Sequence, residues 1–344
     1  MRNASLLTLV GVVLVAMTGF GIFLPIFPFL ALSTGASAST ITLAMGAYSL
    51  GQFIAAPLWG KLSDRIGRKP VLVIGLAVTA IAYVLLSHAQ TIWEMGAARL
   101  FGGLMAGNAG AAFAAAADMA NDKTRARNMG LLGAAVGVAF ILGPAIGALL
   151  VGPDANKEGF RRVCIVAAAF AGAAALAALL LFKETISKAE RTANTPRQRS
   201  FTLLKTKPAL AVFIGTSLLF LTAQALMETA FGLWANAAFA WGPHEVGWTL
   251  AAMGLGAALL QGGGAGAAAR RWGERSTLRG GLAALCWGLF LLAAARVPMA
   301  AFVAIAMITL GIALATPALQ SLVAAQTEES VRGAAMGLNQ SAQA

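Results

Sequence analysis

Charge is scarce in this chain. Only 11% of its 344 residues are Asp, Glu, Lys or Arg, while 59% are hydrophobic, and the mean hydropathy is +0.78. A soluble domain carries about 25% charged residues. A chain this poor in charge cannot face water over its whole surface, and it reads as an integral membrane protein. Cysteine is nearly absent: Cys164 and Cys286 both lie in apolar runs, which excludes a disulfide framework or a cysteine metal cluster. His88 and His244 stand at run boundaries without partners at ligand spacing, so no metal is expected. Alternating polar and apolar residues are missing, which argues against a β-barrel. The apolar runs also lack a His/Asp/Glu or Ser/His constellation, so an enzyme is not expected. The glycines of "GLGAAL", 254–259, lie inside an apolar run with no strand before them. They read as packing residues rather than a nucleotide loop, and no cofactor is expected.

What the chain has in abundance is long apolar runs. A helix crosses the hydrocarbon layer in roughly 20 residues. Such runs fall near 6–31, 40–60, 71–89, 94–118, 128–150, 161–182, 208–237, 246–269, 278–295 and 299–324, and another begins near Gly333. The first is too long for a signal-peptide core and has no small-residue cleavage site. The fold is therefore expected to be an all-α, multi-pass membrane protein in the lipid bilayer. With the N-terminus in the cytoplasm, 20 of the 25 Lys and Arg fall in cytoplasmic segments. Lys157, Arg161, Arg162 and Arg296 fall outside, and Arg99 lies within a span. That bias sets the orientation. It also accounts for a net charge of +12 without nucleic acid as a partner.

The longest polar connection follows the sixth run. It divides the chain into an N-terminal six-helix bundle, 1–182, a cytoplasmic linker, 183–207, and a second, incomplete bundle, 208–344. An internal repeat supports that division. "GKLSDRIGRKPVLVIGLAV" from 60 aligns with "GAAARRWGERSTLRGGLAA" from 266, and "TRARNMGLLGAA" from 124 is similar to "SVRGAAMGLNQSA" from 330. The offsets are 206 and 207. A repeat of that length implies a whole of about 412 residues, so the chain is expected to be about 68 residues short.

The densest charge sits in "GKLSDRIGRK", where Gly60, Asp64, Arg65, Gly67, Arg68 and Lys69 fill every fixed position of a known pattern. Over the whole chain the sequence resembles the major facilitator superfamily, whose loop between helices two and three carries that pattern. Gly60 would let helices approach closely and Gly67 would permit a tight turn. Asp64 would face the positive end of a helix, by resemblance helix eleven, near Arg332. Arg68 would pair with Asp118. The resemblance makes this cluster a latch that opens during transport. In helix five, "GVAFILGPAIGA" is similar to the family's antiporter motif through Gly137, Gly143, Pro144 and Gly147, which favours efflux. "RLFGG" is similar to the family's membrane-embedded arginine, here Arg99.

Export driven by protons needs a group that binds and releases a proton inside the membrane. Of 13 acids, only Glu228 lies well inside an apolar run. An ionisable residue there is costly and usually functional. By resemblance helices one, four, seven and ten line a central cavity, so Glu228 and Arg99 are expected to act together in proton coupling. Asn108, Gln224, Gln52, Trp234 and Asn236 are candidates for substrate contact, though amides in spans also serve as glue between helices. The expectation is a monomeric, proton-coupled exporter of small amphipathic or drug-like compounds in the bacterial inner membrane. The region from Met227 to Gln261 resembles tetracycline-type and multidrug antiporters, but the first span lacks the acid that tetracycline pumps carry there. Export of sugars or endogenous metabolites, or a transport-inactive scaffold, are the alternatives.

Overall fold

The computed structural model describes residues 2–120, 124–152, 157–186 and 208–325. Among these, every regular element is helical, and ten segments are long and apolar enough to cross a membrane. Many of their large apolar side chains are exposed, among them Leu43 (74%), Phe53 (77%) and Leu219 (72%), as expected of a membrane-spanning protein. The start of an eleventh span near Gly333 lies outside the described residues.

In chain order the helices are α1 (Arg2–Phe23), α2 (Phe27–Leu32), α3 (Ala38–Ile66), α4 (Arg68–His88), α5 (Ile92–Leu104), α6 (Asn108–Asp118), α7 (Arg125–Val151), α8 (Lys157–Leu181), α9 (Pro208–Phe239), α10 (Pro243–Leu259), α11 (Ala265–Trp272), α12 (Glu274–Ala294) and α13 (Pro298–Ala325). A five-residue π-helix, Leu260–Gly264, joins α10 to α11.

Two spans read as single helices are broken. The first changes from α1 to α2 across Pro25, which has no N–H to give the ladder, and Pro28 opens α2. The fourth stops at Leu104 and restarts at Asn108. There the indole of Trp59 donates to the freed Leu104 carbonyl at 2.7 Å. Its ring lies so near Gly107 that a methyl there would come within 2.6 Å. Lys157, Arg161 and Arg162, expected on the outer side, belong to the first turns of α8, where their long stems can reach polar surroundings.

The chain divides into two compact units: Met1–Asn194 with Phe231–Ala251, and Thr195–Ala230 with Ala252–Ala344. In the first, α1 packs on α7 and α8, α3 on α5, and α4 on α6 and α8, around a core that includes Leu9, Leu72, Leu76, Leu132 and Phe182. In the second, the principal contact is α12 on α13. Both units use the same device at aligned positions. Gly67 (φ 110°) turns α3 into α4, and Gly273 (φ 81°) turns α11 into α12, in a region of backbone space closed to most side chains. Eight residues on in each copy, Gly75 and Gly281 let a neighbouring backbone approach. A methyl at either would stand 2.9 Å from the Asn108 nitrogen or 2.8 Å from the Ala315 nitrogen.

Candidate functional site

The α3–α4 turn gathers the charges of "GKLSDRIGRK" into a network. Gly67 ends α3, and its N–H bonds the Ser63 carbonyl at 3.1 Å. That puts Arg68, the first residue of α4, one turn from Asp64. Its guanidinium donates through Nη1 to Asp64 Oδ1 at 2.7 Å and Ser63 Oγ at 3.0 Å. Through Nε it donates to Asp118 Oδ2, at the end of α6, at 2.9 Å. The Thr185 hydroxyl also reaches Asp118 Oδ2, at 3.2 Å. The Glu184 carboxylate accepts the backbone N–H groups of Arg68 at 2.9 Å and Lys69 at 3.2 Å, so an acid caps the positive end of α4. Four segments, α3, α4, α6 and the chain after α8, thus meet in one charge-assisted network. Lys61 and Arg65 are exposed beside it. Gly60 does not make the close approach expected of it: among the described residues, nothing lies within 4 Å of a methyl placed there. The helix-eleven partner of Asp64 lies outside the described residues.

In α7 the glycines divide. Methyl groups at Gly143 and Gly147 would stand 2.6 Å from Gly21 and 2.5 Å from the Ile22 carbonyl, so α1 crosses α7 in backbone contact. Pro144 sits inside the same helix, and its missing N–H leaves the ladder weakened at that crossing. Gly137 has open space around it. Its role as a packing glycine is not met among the described residues, because it lies about two turns from the crossing.

Arg99, on α5, is 6% exposed. Its guanidinium carbon stands 4.6 Å from the Tyr48 ring, 5.7 Å from Phe23 and 5.6 Å from Phe27. The polar contacts are meagre. Nη2 reaches the Met45 carbonyl at 3.4 Å, and Nε is buried without a hydrogen-bond partner among the described residues. Three π faces compensate part of the desolvation of this cation. The same unit holds half-buried Phe20, 5.8 Å from Tyr48 and 6.4 Å from Phe140 of α7, which extends the aromatic surface across α1, α3 and α7.

Glu228 lies about two-thirds of the way along α9 and is half-buried. Its Oε1 accepts from Gln224 Nε2 at 2.9 Å, one turn earlier. These two belong to one unit, while Arg99 belongs to the other. The remaining candidates scatter. Asn108 is buried at the start of α6, and Gln52 is half-buried on α3. Trp234 is half-buried in a ring cluster, 6.1 Å from Phe231 and 5.3 Å from Phe239. Asn236 is exposed, and its amide donates to the Trp241 carbonyl at 3.1 Å. That bond closes the end of α9, where Ala240 takes a positive φ of 55°. The sequence reading missed Glu184 and the rings around Arg99. Glu184 was legible as an acid directly after a span in a basic connection. Two of the cage rings, Phe23 and Phe27, flank the break at Pro25, and the third, Tyr48, comes from α3, so the sequence carried no local sign of the cage.

The model of the Major Facilitator Superfamily matches residues 9–344. The chain is 33% identical over 344 residues to the tetracycline resistance protein, class G, of Vibrio anguillarum, covering 98% of this chain and 86% of that protein. It is 29% identical over 350 residues to the class B protein of Escherichia coli, covering 98% and 84%. Among solved structures it is similar to the human organic anion transporter MFSD10 (TETRAN), with a TM-score of 0.69 at 22% identity over 99% of this chain and 90% of that one. It is also similar to the nucleoside transporter NupG, with a TM-score of 0.74 at 15% identity over 98% and 87%. At those identities the two structures speak for the fold alone.

Proposed function

This chain belongs to the major facilitator superfamily and is a multi-pass membrane transporter of small molecules, not an enzyme; on that footing we propose that it exports amphipathic or drug-like compounds in exchange for protons. The setting is the bacterial inner membrane, with a cytoplasmic N-terminus and a monomeric chain working by alternating access. The similarity to tetracycline resistance proteins supports efflux over uptake. So does the resemblance of "GVAFILGPAIGA" in α7 to the family's antiporter motif.

The observation that carries the reading is Glu228. It is a carboxyl on an apolar span whose hydrogen-bond partner is a neutral amide one turn away. The Gln224 NH₂ can donate to a carboxylate and, more weakly, to the carbonyl oxygen of a carboxylic acid. The bond therefore survives both protonation states and holds the side chain in place while the proton comes and goes. Arg99 contributes a fixed positive charge in the other unit. The cluster of Asp64, Arg68, Asp118 and Glu184 acts as the latch that the cycle opens and closes.

Inside-out vesicles carrying the protein and a pH-sensitive dye test this. After energisation, added substrate should release protons from vesicles with the wild type. Vesicles with Glu228→Gln, folded by size exclusion, should show none. Undiminished substrate-dependent proton release in that variant would remove Glu228 from the mechanism.

A further inference from the structure

We propose that Arg99 and the rings around it form a recognition site for a planar aromatic anion, with an aryl carboxylate as the simplest form. The proposal deepens the transport reading above by naming a substrate class, and it rests on that reading for what happens after binding.

A guanidinium has five N–H donors in a planar fork matched to a carboxylate. In Arg99 one of them makes a single long contact, to the Met45 carbonyl at 3.4 Å, and Nε makes none among the described residues. Buried cations are ordinarily paired. Here no carboxylate lies within salt-bridge distance of Arg99 among the described residues; its close neighbours are Phe23, Phe27 and Tyr48. The site therefore holds a strong, unspent preference for an anion, in surroundings that supply no anion of their own.

The same neighbours specify the rest of the ligand. Tyr48, Phe20 and Phe140 are half-buried and successive in space, at centroid separations of 5.8 and 6.4 Å. The rings are inclined to one another, at 42° and 70° between planes, so a flat ligand ring would meet one face and the edge of the next, with its acidic group toward Arg99. Tyr48 lies nearest the guanidinium, at 4.6 Å, and Nε is sealed beneath the cage. Its ring therefore has to swing aside to admit the carboxylate. A cationic compound would meet a fixed like charge and would compete with Arg99 for the same π faces. A neutral aromatic would gain the stacking and not the ion pair.

The test compares three probes of one shape, 2-naphthoate, 2-naphthalenemethanol and 2-naphthylmethylammonium, by equilibrium dialysis against the purified full chain in nanodiscs, with empty nanodiscs subtracted. Charge-assisted pairing predicts that naphthoate binds at least about tenfold tighter than the alcohol, and the ammonium weakest. Arg99→Gln should erase the preference for naphthoate while leaving alcohol binding within about twofold. Tyr48→Leu should weaken naphthoate and the alcohol together. If Arg99→Gln fails to fold, Arg99→Lys, which keeps the charge and loses the fork, should shrink the preference. Equal wild-type affinity for naphthoate and the alcohol would overturn the proposal. So would an intact preference in whichever Arg99 variant folds. If naphthoate binding depends on Arg99 but no protons are exchanged in vesicles, the coupling reading fails and the anion site stands.

Discussion

The two glycines of the α7 motif should behave in opposite ways when a methyl group is added. A Cβ at Gly143 would stand 2.6 Å from both the Cα and the carbonyl carbon of Gly21, and 2.9 Å from the nitrogen of Ile22. Ordinary contacts begin at 3.4 Å, so the deficit is about 0.8 Å. All three atoms are backbone, and no side-chain rotation relieves the clash. Either α1 and α7 separate by that amount or the helices bend around it. A radial gap of 0.5–1 Å forfeits roughly a quarter to a half of each dispersion contact along the seam. Overpacking of this kind costs about 1–3 kcal/mol. At Gly137, on the same helix, nothing lies within 4 Å. Gly137→Ala should therefore gain roughly 0.5–1 kcal/mol from the stiffer unfolded chain and better helix propensity. The measurement is thermal unfolding of each purified variant by fluorescence-detected size exclusion, read beside substrate-dependent proton release. Gly143→Ala should melt lower and transport more slowly. Gly137→Ala should melt at or above the wild type and transport normally. A destabilised Gly137→Ala beside a neutral Gly143→Ala would refute the crossing as described.

Other expectations follow from the turns and the charge network. Arg68→Gln and Asp118→Asn remove opposite ends of one 2.9 Å bond, so their effects on stability should be non-additive by about 0.5–3 kcal/mol in a double-mutant cycle. Strict additivity would mean that the pair does not act as a unit. Gly67→Ala and Gly273→Ala should each cost about 1–2 kcal/mol, because their φ angles of 110° and 81° are hostile to a side chain. Equal melting of either variant and the wild type would contradict the turn geometry.

How much of this was legible beforehand depended on the range of the interaction. Helix number and span came through because the bilayer imposes a length, and twenty apolar residues announce themselves. The turn at Gly67 was readable because a glycine between charged residues at a helix end has a local meaning. The breaks at Pro25 and at Met105–Gly107 were not, although the residues were in view. Pro57, Pro144 and Pro317 sit inside unbroken helices, so a proline or a glycine alone does not decide. What decides at Gly107 is the indole of Trp59, 48 positions earlier. Gly60 and Gly137 failed for the same reason: a motif glycine looks identical whether its surroundings are crowded or empty. For Arg99 the sequence raised the cost of burial and suggested an acid as its relief. The neighbours are rings that come from α1, α2 and α3, brought together only by the fold.

The repeat also bears on the proposed latch. At the aligned turns the backbone is the same and the chemistry is reversed. Asp64 and Arg68 of the first copy become Arg270 and Glu274 of the second. In the first, Arg68 ties together groups from α3 and α6 while Glu184 caps the start of its own helix. In the second, Glu274 accepts a hydrogen bond from the Ser321 hydroxyl of α13. Had the charges served only to hold a helix turn together, the two copies would need them equally, since Gly67 and Gly273 make the same turn. The turn therefore depends on the glycine. The charges at Asp64, Arg68, Asp118 and Glu184 are additional to it and join four segments in one network. A latch needs that arrangement, and a structural turn does not.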